Sequence, residues 1–170
     1  MGNLYILCGL PFSGKTVLAK KLVEALNFER VDIDEFIFDH GYKSFDDPRI
    51  TKELMHSFFT EYHDRLLQLL KENKNVISDT SNPSRSGRNK LRDLAASVEK
   101  KAIVIYVNTT PEEVMERYWK NKTTQERQDI TEATLMNAIS RMEAPQADET
   151  PLAYNQSMIF DEWIKQLPAS

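Results

Sequence analysis

Eight residues near the start of the chain, Gly9-Leu10-Pro11-Phe12-Ser13-Gly14-Lys15-Thr16, form a complete G-x-x-x-x-G-K-[ST] phosphate loop. The motif carries meaning only between a strand and a helix, and the flanks supply both. Leu4-Tyr5-Ile6-Leu7-Cys8 is a short apolar run of buried-strand type. Downstream, Leu18, Leu22 and Leu26 recur every four residues, with Ala19, Val23 and Ala25 beside them, which is helical spacing. In such a loop Gly9 and Gly14 accept turn conformations and close approaches that a Cβ forbids. Successive N–H groups then form an anion nest at the positive end of the following helix. Lys15 reaches the β- and γ-phosphates of a nucleotide, and the Thr16 hydroxyl can hold Mg²⁺.

Further strands alternate with helices. Phe28 to Asp34 reads as a second strand ending in two acids, Asp32 and Asp34, which project the same way if the strand continues that far. Asp47-Pro48 reads as the cap of a long helix to Lys71, with an apolar stripe at Met55, Phe58, Phe59, Tyr62, Leu66, Leu69 and Leu70. His56 and His63 share a face of it and read as ordinary helix residues, since no third metal-ligand pattern accompanies them. Asn75 to Asp79 is a third strand, followed by Asn82 and Pro83 as cap and first residue of a helix over 84–100. Ala102 to Val107 is a fourth strand. Thr110-Pro111-Glu112-Glu113 is a capping box, and Asp129-Ile130-Thr131-Glu132 is a second, opening a helix to about Glu143. Lys120 to Asp129 is polar and aperiodic, as a lid over a nucleotide would be. Ser157 to Phe160 is the candidate fifth strand, with a short terminal helix over 162–167.

This alternation predicts an α/β fold: a parallel sheet covered by helices on both faces, in one domain over residues 1–170 with a lid at about 120–130. Ligands of such sheets collect at the carboxyl ends of the strands. Gly9, Asp34, Asp79 and Asn108 all follow strands at that edge, so polar groups converge there. Phosphoryl transfer needs one acid on the metal side and one that orients and deprotonates an acceptor hydroxyl. The reading assigns Asp34 to the acceptor and Asp79 to the metal, with Asp32 able to exchange with either.

The phosphate loop, Asp32-Ile33-Asp34, Asp79-Thr80-Ser81-Asn82 and an arginine-bearing lid together resemble the small P-loop kinases. These include shikimate and gluconate kinases, chloramphenicol phosphotransferase, zeta toxins and the kinase domain of polynucleotide kinases. The resemblance implies a five-stranded parallel sheet in the order 2-3-1-4-5, ATP as donor, Mg²⁺, and transfer to a hydroxyl. It matches Asp34 to the acceptor-side acid, Arg127 to the lid arginine on the transferring phosphate, and Arg117 to the arginine that packs on adenine. Arg88 and Arg92 would face the acceptor. The turn Asp79-Thr80-Ser81-Asn82 stands where shikimate kinases carry a glycine-rich turn and is nearer that of polynucleotide kinases. No Asn-Lys-x-Asp guanine motif is present, which disfavours a GTPase.

Composition excludes other classes. The net charge of -4 argues against bulk nucleic-acid binding. One cysteine, Cys8, allows no internal disulfide and fits a cytoplasmic setting, as does the lack of a basic leader or a membrane-length apolar run. The expected partners are therefore ATP and an unidentified hydroxyl-bearing acceptor, with no membrane. The alternative is a nucleotide-binding regulatory switch with slow ATP hydrolysis, which would need neither Asp34 nor Arg127 at the γ-phosphate.

Overall fold

The computed structural model describes residues 2–126 and 130–168. Five parallel strands form one sheet: β1 (Leu4–Cys8), β2 (Glu29–Asp32), β3 (Val76–Asp79), β4 (Ala102–Val107) and β5 (Leu152–Tyr154). Their order is β2-β3-β1-β4-β5, as expected. The helices are α1 (Lys15–Leu26), α2 (Ile33–Asp39), α3 (Lys52–Lys71), α4 (Arg85–Ala96), α5 (Pro111–Thr124), α6 (Glu132–Ser140) and α7 (Phe160–Trp163).

β1 is wholly buried at the sheet centre, and its side chains alternate between two cores. Leu4, Ile6 and Cys8 pack with Phe58, Tyr62 and Leu66 of α3 and Leu91 and Ala95 of α4. Tyr5 and Leu7 face the opposite way, toward Leu18, Ala19 and Leu22 of α1, Tyr154 of β5 and Trp163 of α7. Helices thus cover both faces, and each fully buried Leu or Phe contributes about 1.5–3 kcal/mol. A smaller cluster, Leu10, Val114, Tyr118 and Leu135, packs α5 and α6 under the phosphate loop.

Several boundaries differ from the expected ones, each for a local reason. β2 stops at Asp32, whose carboxylate caps α2 by accepting the Asp34 N–H at 3.0 Å. Asp32 and Asp34 therefore do not share one face of a continuing strand. α3 begins at Lys52, where Thr51 accepts the Leu54 N–H at 3.2 Å. Asp47 cannot cap it because its carboxylate is taken by the backbone and guanidinium of Arg49 and the N–H of Lys43.

Asn82 likewise does not cap α4. Its amide donates to the Leu7 carbonyl at 2.7 Å, joining the end of β1 to the turn after β3, and Ser84 caps the helix instead. α4 ends at Ala96. α5 opens at the capping box of Thr110 and Glu113 and runs through Thr124, so the proposed lid is helical over its first residues, 120–124. α6 is capped by Thr131 and spans nine residues ending at Ser140; Asp129, the first residue of the expected capping box, lies outside the described residues. β5 is Leu152–Tyr154, registered on Ile105 to Val107. Ser157 lies in a turn closed by Asn155, and Ile159, which the expected strand would bury, is 72% exposed. No helix among the described residues is long and apolar enough to cross a membrane.

Candidate active site at the carboxyl edge of the sheet

The phosphate loop joins β1 to α1. Gly14 adopts φ 104°, a left-handed conformation, and starts α1 with no side-chain cap. The first-turn N–H groups of a 12-residue helix are left facing the loop. Gly9 serves by proximity: a Cβ there would lie 2.9 Å from both the Ser13 Oγ and the Val107 carbonyl. The loop is braced from outside. Ser13 N–H donates to Leu10 O, the Thr109 hydroxyl donates to Ser13 O at 2.9 Å, and Gly9 N–H donates to Ser81 O at 3.2 Å. Arg117, on α5, donates to the carbonyls of Phe12 and Ser13, each at 3.1 Å. Its guanidinium therefore sits on the loop backbone. Gln156, from the turn after β5, also reaches the loop, and its Nε2 would be 2.3 Å from a Cβ on Gly14.

Lys15 is buried and folds back over the loop, its ammonium donating to Gly9 O at 3.0 Å and Leu10 O at 2.7 Å. Burial pulls its pKa down to about 8, and the charge of Asp79, followed by smaller contributions from Cys8, Asp34 and Asp32, holds it from falling further. The Ser13 Oγ is buried with no hydrogen-bond partner among the described residues. A buried hydroxyl without a partner in a phosphate loop suits a bound phosphate, which would accept from it.

The acids stand across from Lys15. Asp32 and Asp79 are register partners at the ends of β2 and β3. Arg30, two residues before Asp32 on the same strand face, spans both. Its Nε donates to Asp79 Oδ2 at 2.7 Å, its Nη2 pairs with Asp32 Oδ2, and its Nη1 donates to Glu35 at 2.8 Å. Asp79 is 3% exposed. Burial, and then the Asp79 charge, push the Asp32 carboxyl up to about 7 despite Arg30. The Asp34 carboxyl, on the first turn of α2, is raised by the same two causes and held back by Lys15 and Arg30. Arg30 was not among the expected site residues. The period of two that relates it to Asp32 was the available signal.

Thr16 is exposed on the first turn of α1. Among the described residues no group of three or more His, Cys, Asp or Glu assembles as a metal cage. Mg²⁺ does not require one, since it takes few protein ligands and fills its shell with phosphates and water. Arg127 lies outside the described residues. Arg88, expected at the acceptor, is instead in the core: Nε and Nη2 clasp Glu149 at 2.7 and 2.9 Å, and Nη1 donates to the carbonyls of Asn82 and Glu143. Arg92 donates to Asn89 on its own helix at 3.4 Å.

Residues 4–145 match the family described as AAA domain. Shikimate kinase of Persephonella marina is 30% identical over 117 residues, 69% of this chain and 67% of that protein. The chain belongs to the small P-loop kinase family. Solved structures share the kinase fold. A chain of the Pnkp1/Rnl/Hen1 RNA repair complex superposes with a TM-score of 0.71 at 21% identity, covering 82% of this small P-loop kinase and 43% of that chain. The chain therefore spans less than half the length of that one. Kti12 of Chaetomium thermophilum, solved with ADP-AlF3, superposes with a TM-score of 0.69 at 18% identity, covering 98% of this chain and 100% of that one.

Proposed function

We propose that this small P-loop kinase, acting as one catalytic unit over residues 1–170, uses ATP and Mg²⁺ to phosphorylate a hydroxyl group. The observation that carries the reading is that the phosphate loop follows β1 at the same sheet edge where Asp32 and Asp79, register partners, end β2 and β3, with Asp34 two residues beyond. The loop Gly9, Leu10, Pro11, Phe12, Ser13 and Gly14 would wrap the β-phosphate, its free main-chain N–H groups donating while Pro11, which has none, shapes the turn. Lys15 leaves its carbonyl contacts and bridges the β- and γ-phosphates. Its present bonds to Gly9 O and Leu10 O keep the ammonium in the loop until a phosphate competes for it.

Thr16 and Asp79 would hold the metal, which when bound neutralises charge on the phosphate oxygens. Asp34 orients the acceptor hydroxyl and takes its proton as the acceptor oxygen bonds to the γ-phosphorus. The bond from that phosphorus to the bridging β-oxygen breaks, and ADP leaves with the electron pair. A carboxyl whose pKa burial and the Asp79 charge raise is better matched to that proton than an ordinary aspartate. Arg117 supports the loop from behind, and from the same helix it can also meet the adenine. Arg127 would close on the transferring phosphate from the stretch between α5 and α6.

ADP release, measured with and without a panel of hydroxyl compounds, tests the reading. An acceptor should stimulate turnover of the native protein. Asp34→Asn should lose about 10²–10⁴-fold of the stimulated rate, and Lys15→Ala should abolish it with the fold intact. A regulatory switch predicts the reverse: no acceptor stimulation, and an Asp34→Asn variant as active as the native chain.

A further inference from the structure

The phosphate loop contains a turn that its own residues disfavour. Ser13 N–H donates to Leu10 O at 3.2 Å and closes a four-residue turn over Leu10, Pro11, Phe12 and Ser13. Proline at the second position suits two turn types. Type I takes almost any third residue at negative φ, whereas type II needs a positive φ there and so selects glycine or asparagine. Phe12 occupies that third position at φ 61°. It is the one aromatic residue with a positive φ among the described residues. A Cβ disfavours the left-handed conformation by about five- to thirtyfold in population.

A strained turn persists only where its surroundings hold it. Here α5 holds both the main chain and the side chain of Phe12. Arg117 Nη1 donates to the Phe12 and Ser13 carbonyls, each at 3.1 Å. The Phe12 ring is half-buried against the cluster of Leu10, Val114, Tyr118 and Leu135. It meets Tyr118 edge to face, the ring centroids 5.8 Å apart and the planes at 82°. Tyr118 is itself fixed, buried in that cluster with the Lys122 ammonium 4.9 Å from its ring centroid. Successive residues of one helix thus grip the carbonyl and the ring of the strained position.

We infer that Tyr118 is a positioning residue for phosphate binding, acting through the Phe12 ring to hold the loop in its left-handed turn. Without that hold, the peptide between Pro11 and Phe12 rotates from type II to type I, which relieves the strain and reverses the direction of the Phe12 N–H. A donor of the cradle then turns away from the phosphate, and affinity falls by the fraction of loops that have rotated. The inference rests on the phosphate-loop part of the reading above and is independent of the acceptor.

Calorimetric titration of the full chain tests it, with ADP and separately with inorganic pyrophosphate, which has no base for Arg117 to meet. Phe12→Ala keeps the Cβ and loses the ring, whereas Phe12→Gly loses both. Phe12→Gly should bind either probe about five- to thirtyfold more tightly than Phe12→Ala, against the order that backbone flexibility alone would give. Tyr118→Leu should weaken binding by a similar factor in the native background. In the Phe12→Gly background, where no strain is left to hold, it should cost no more than about twofold. Melting temperatures of the same variants read packing separately. Phe12→Ala binding as tightly as Phe12→Gly, or a Tyr118→Leu loss of equal size in both backgrounds, overturns the inference. So does a Tyr118→Leu variant that melts earlier with its affinity unchanged, since Tyr118 would then only pack. Failure of the phosphate-loop reading looks different: the native chain would bind neither probe, and the inference would fall with it.

Discussion

Arg30 on β2 donates its Nε–H to Asp79 on β3 at 2.7 Å while its outer nitrogens pair with Asp32 and Glu35. One guanidinium therefore holds together two carboxylates that sit side by side at the ends of adjacent parallel strands. Without it they would repel in a setting largely shielded from water. The planar fork of arginine suits this bridging, since its Nε and both Nη atoms meet three carboxylates in fixed directions.

Removing Arg30 should therefore cost more than a surface ion pair. Arg30→Met leaves two buried acids unpaired, and we expect a loss of about 3–5 kcal/mol in urea unfolding at neutral pH. It should also lift the carboxyl pKa values further, because Arg30 lowers those of both Asp32 and Asp34. The acid limb of the pH–rate profile should move to higher pH. A stability loss with an unmoved acid limb would show that the bridge has no part in the chemistry.

Lys15 sets a pH limit on nucleotide binding. Phosphate binding favours the ammonium, whose pKa in the empty loop is about 8. ADP affinity should thus hold below that pH and fall above it, approaching about tenfold per pH unit, as one proton must be taken up. Calorimetric titration between pH 7 and 10, with Lys15→Met as the control lacking the slope, measures this.

The Arg88–Glu149 pair should govern stability in acid. Both side chains are fully buried, and the pairing holds the Glu149 carboxyl down at about 2. A folded-state pKa below the unfolded one gives stability that is present above the ordinary glutamate range and is lost as pH falls through it toward 2. Glu149→Gln should flatten that part of the pH–stability curve. At neutral pH it should also destabilise by about 3–5 kcal/mol, since Arg88 is left charged and buried.

Gly14→Ala should disable the cradle more than it weakens the fold. The left-handed φ of 104° costs a residue with a Cβ about 1–2 kcal/mol, and the new atom meets the Gln156 amide at 2.3 Å. We expect a small drop in melting temperature and at least a hundredfold loss of ADP affinity. Retained affinity would mean that the loop accommodates phosphate in another conformation.

Much of the fold was legible in local chemistry. The loop motif, the apolar run before it, the alternation of strands and helices, the β4 boundaries and the Thr110 capping box depend on neighbours within a few residues, and the structure reproduces them. The errors had two sources. Asn82 looks like a helix cap in sequence, but the Leu7 carbonyl, 75 residues away, takes its amide, whereas Asp47 is captured locally by Arg49, two residues on. β5, the edge strand, went to Leu152–Tyr154 because its inner neighbour β4 had a register to offer there, whereas Ser157 was held in a turn.

By itself the sequence determined that a phosphate cradle would form and that acids would stand at the neighbouring strand ends, because both follow from spacing along the chain. Only the tertiary structure decided which basic groups meet which partners. It placed Arg30 between two strands, sank Arg88 into the core against Glu149, and left Lys90 of the same helix exposed. A charge on a helix can point to core or solvent within one turn. That choice depends on where a partner more than fifty residues away comes to rest, as Glu149 does for Arg88 at a separation of 61 residues.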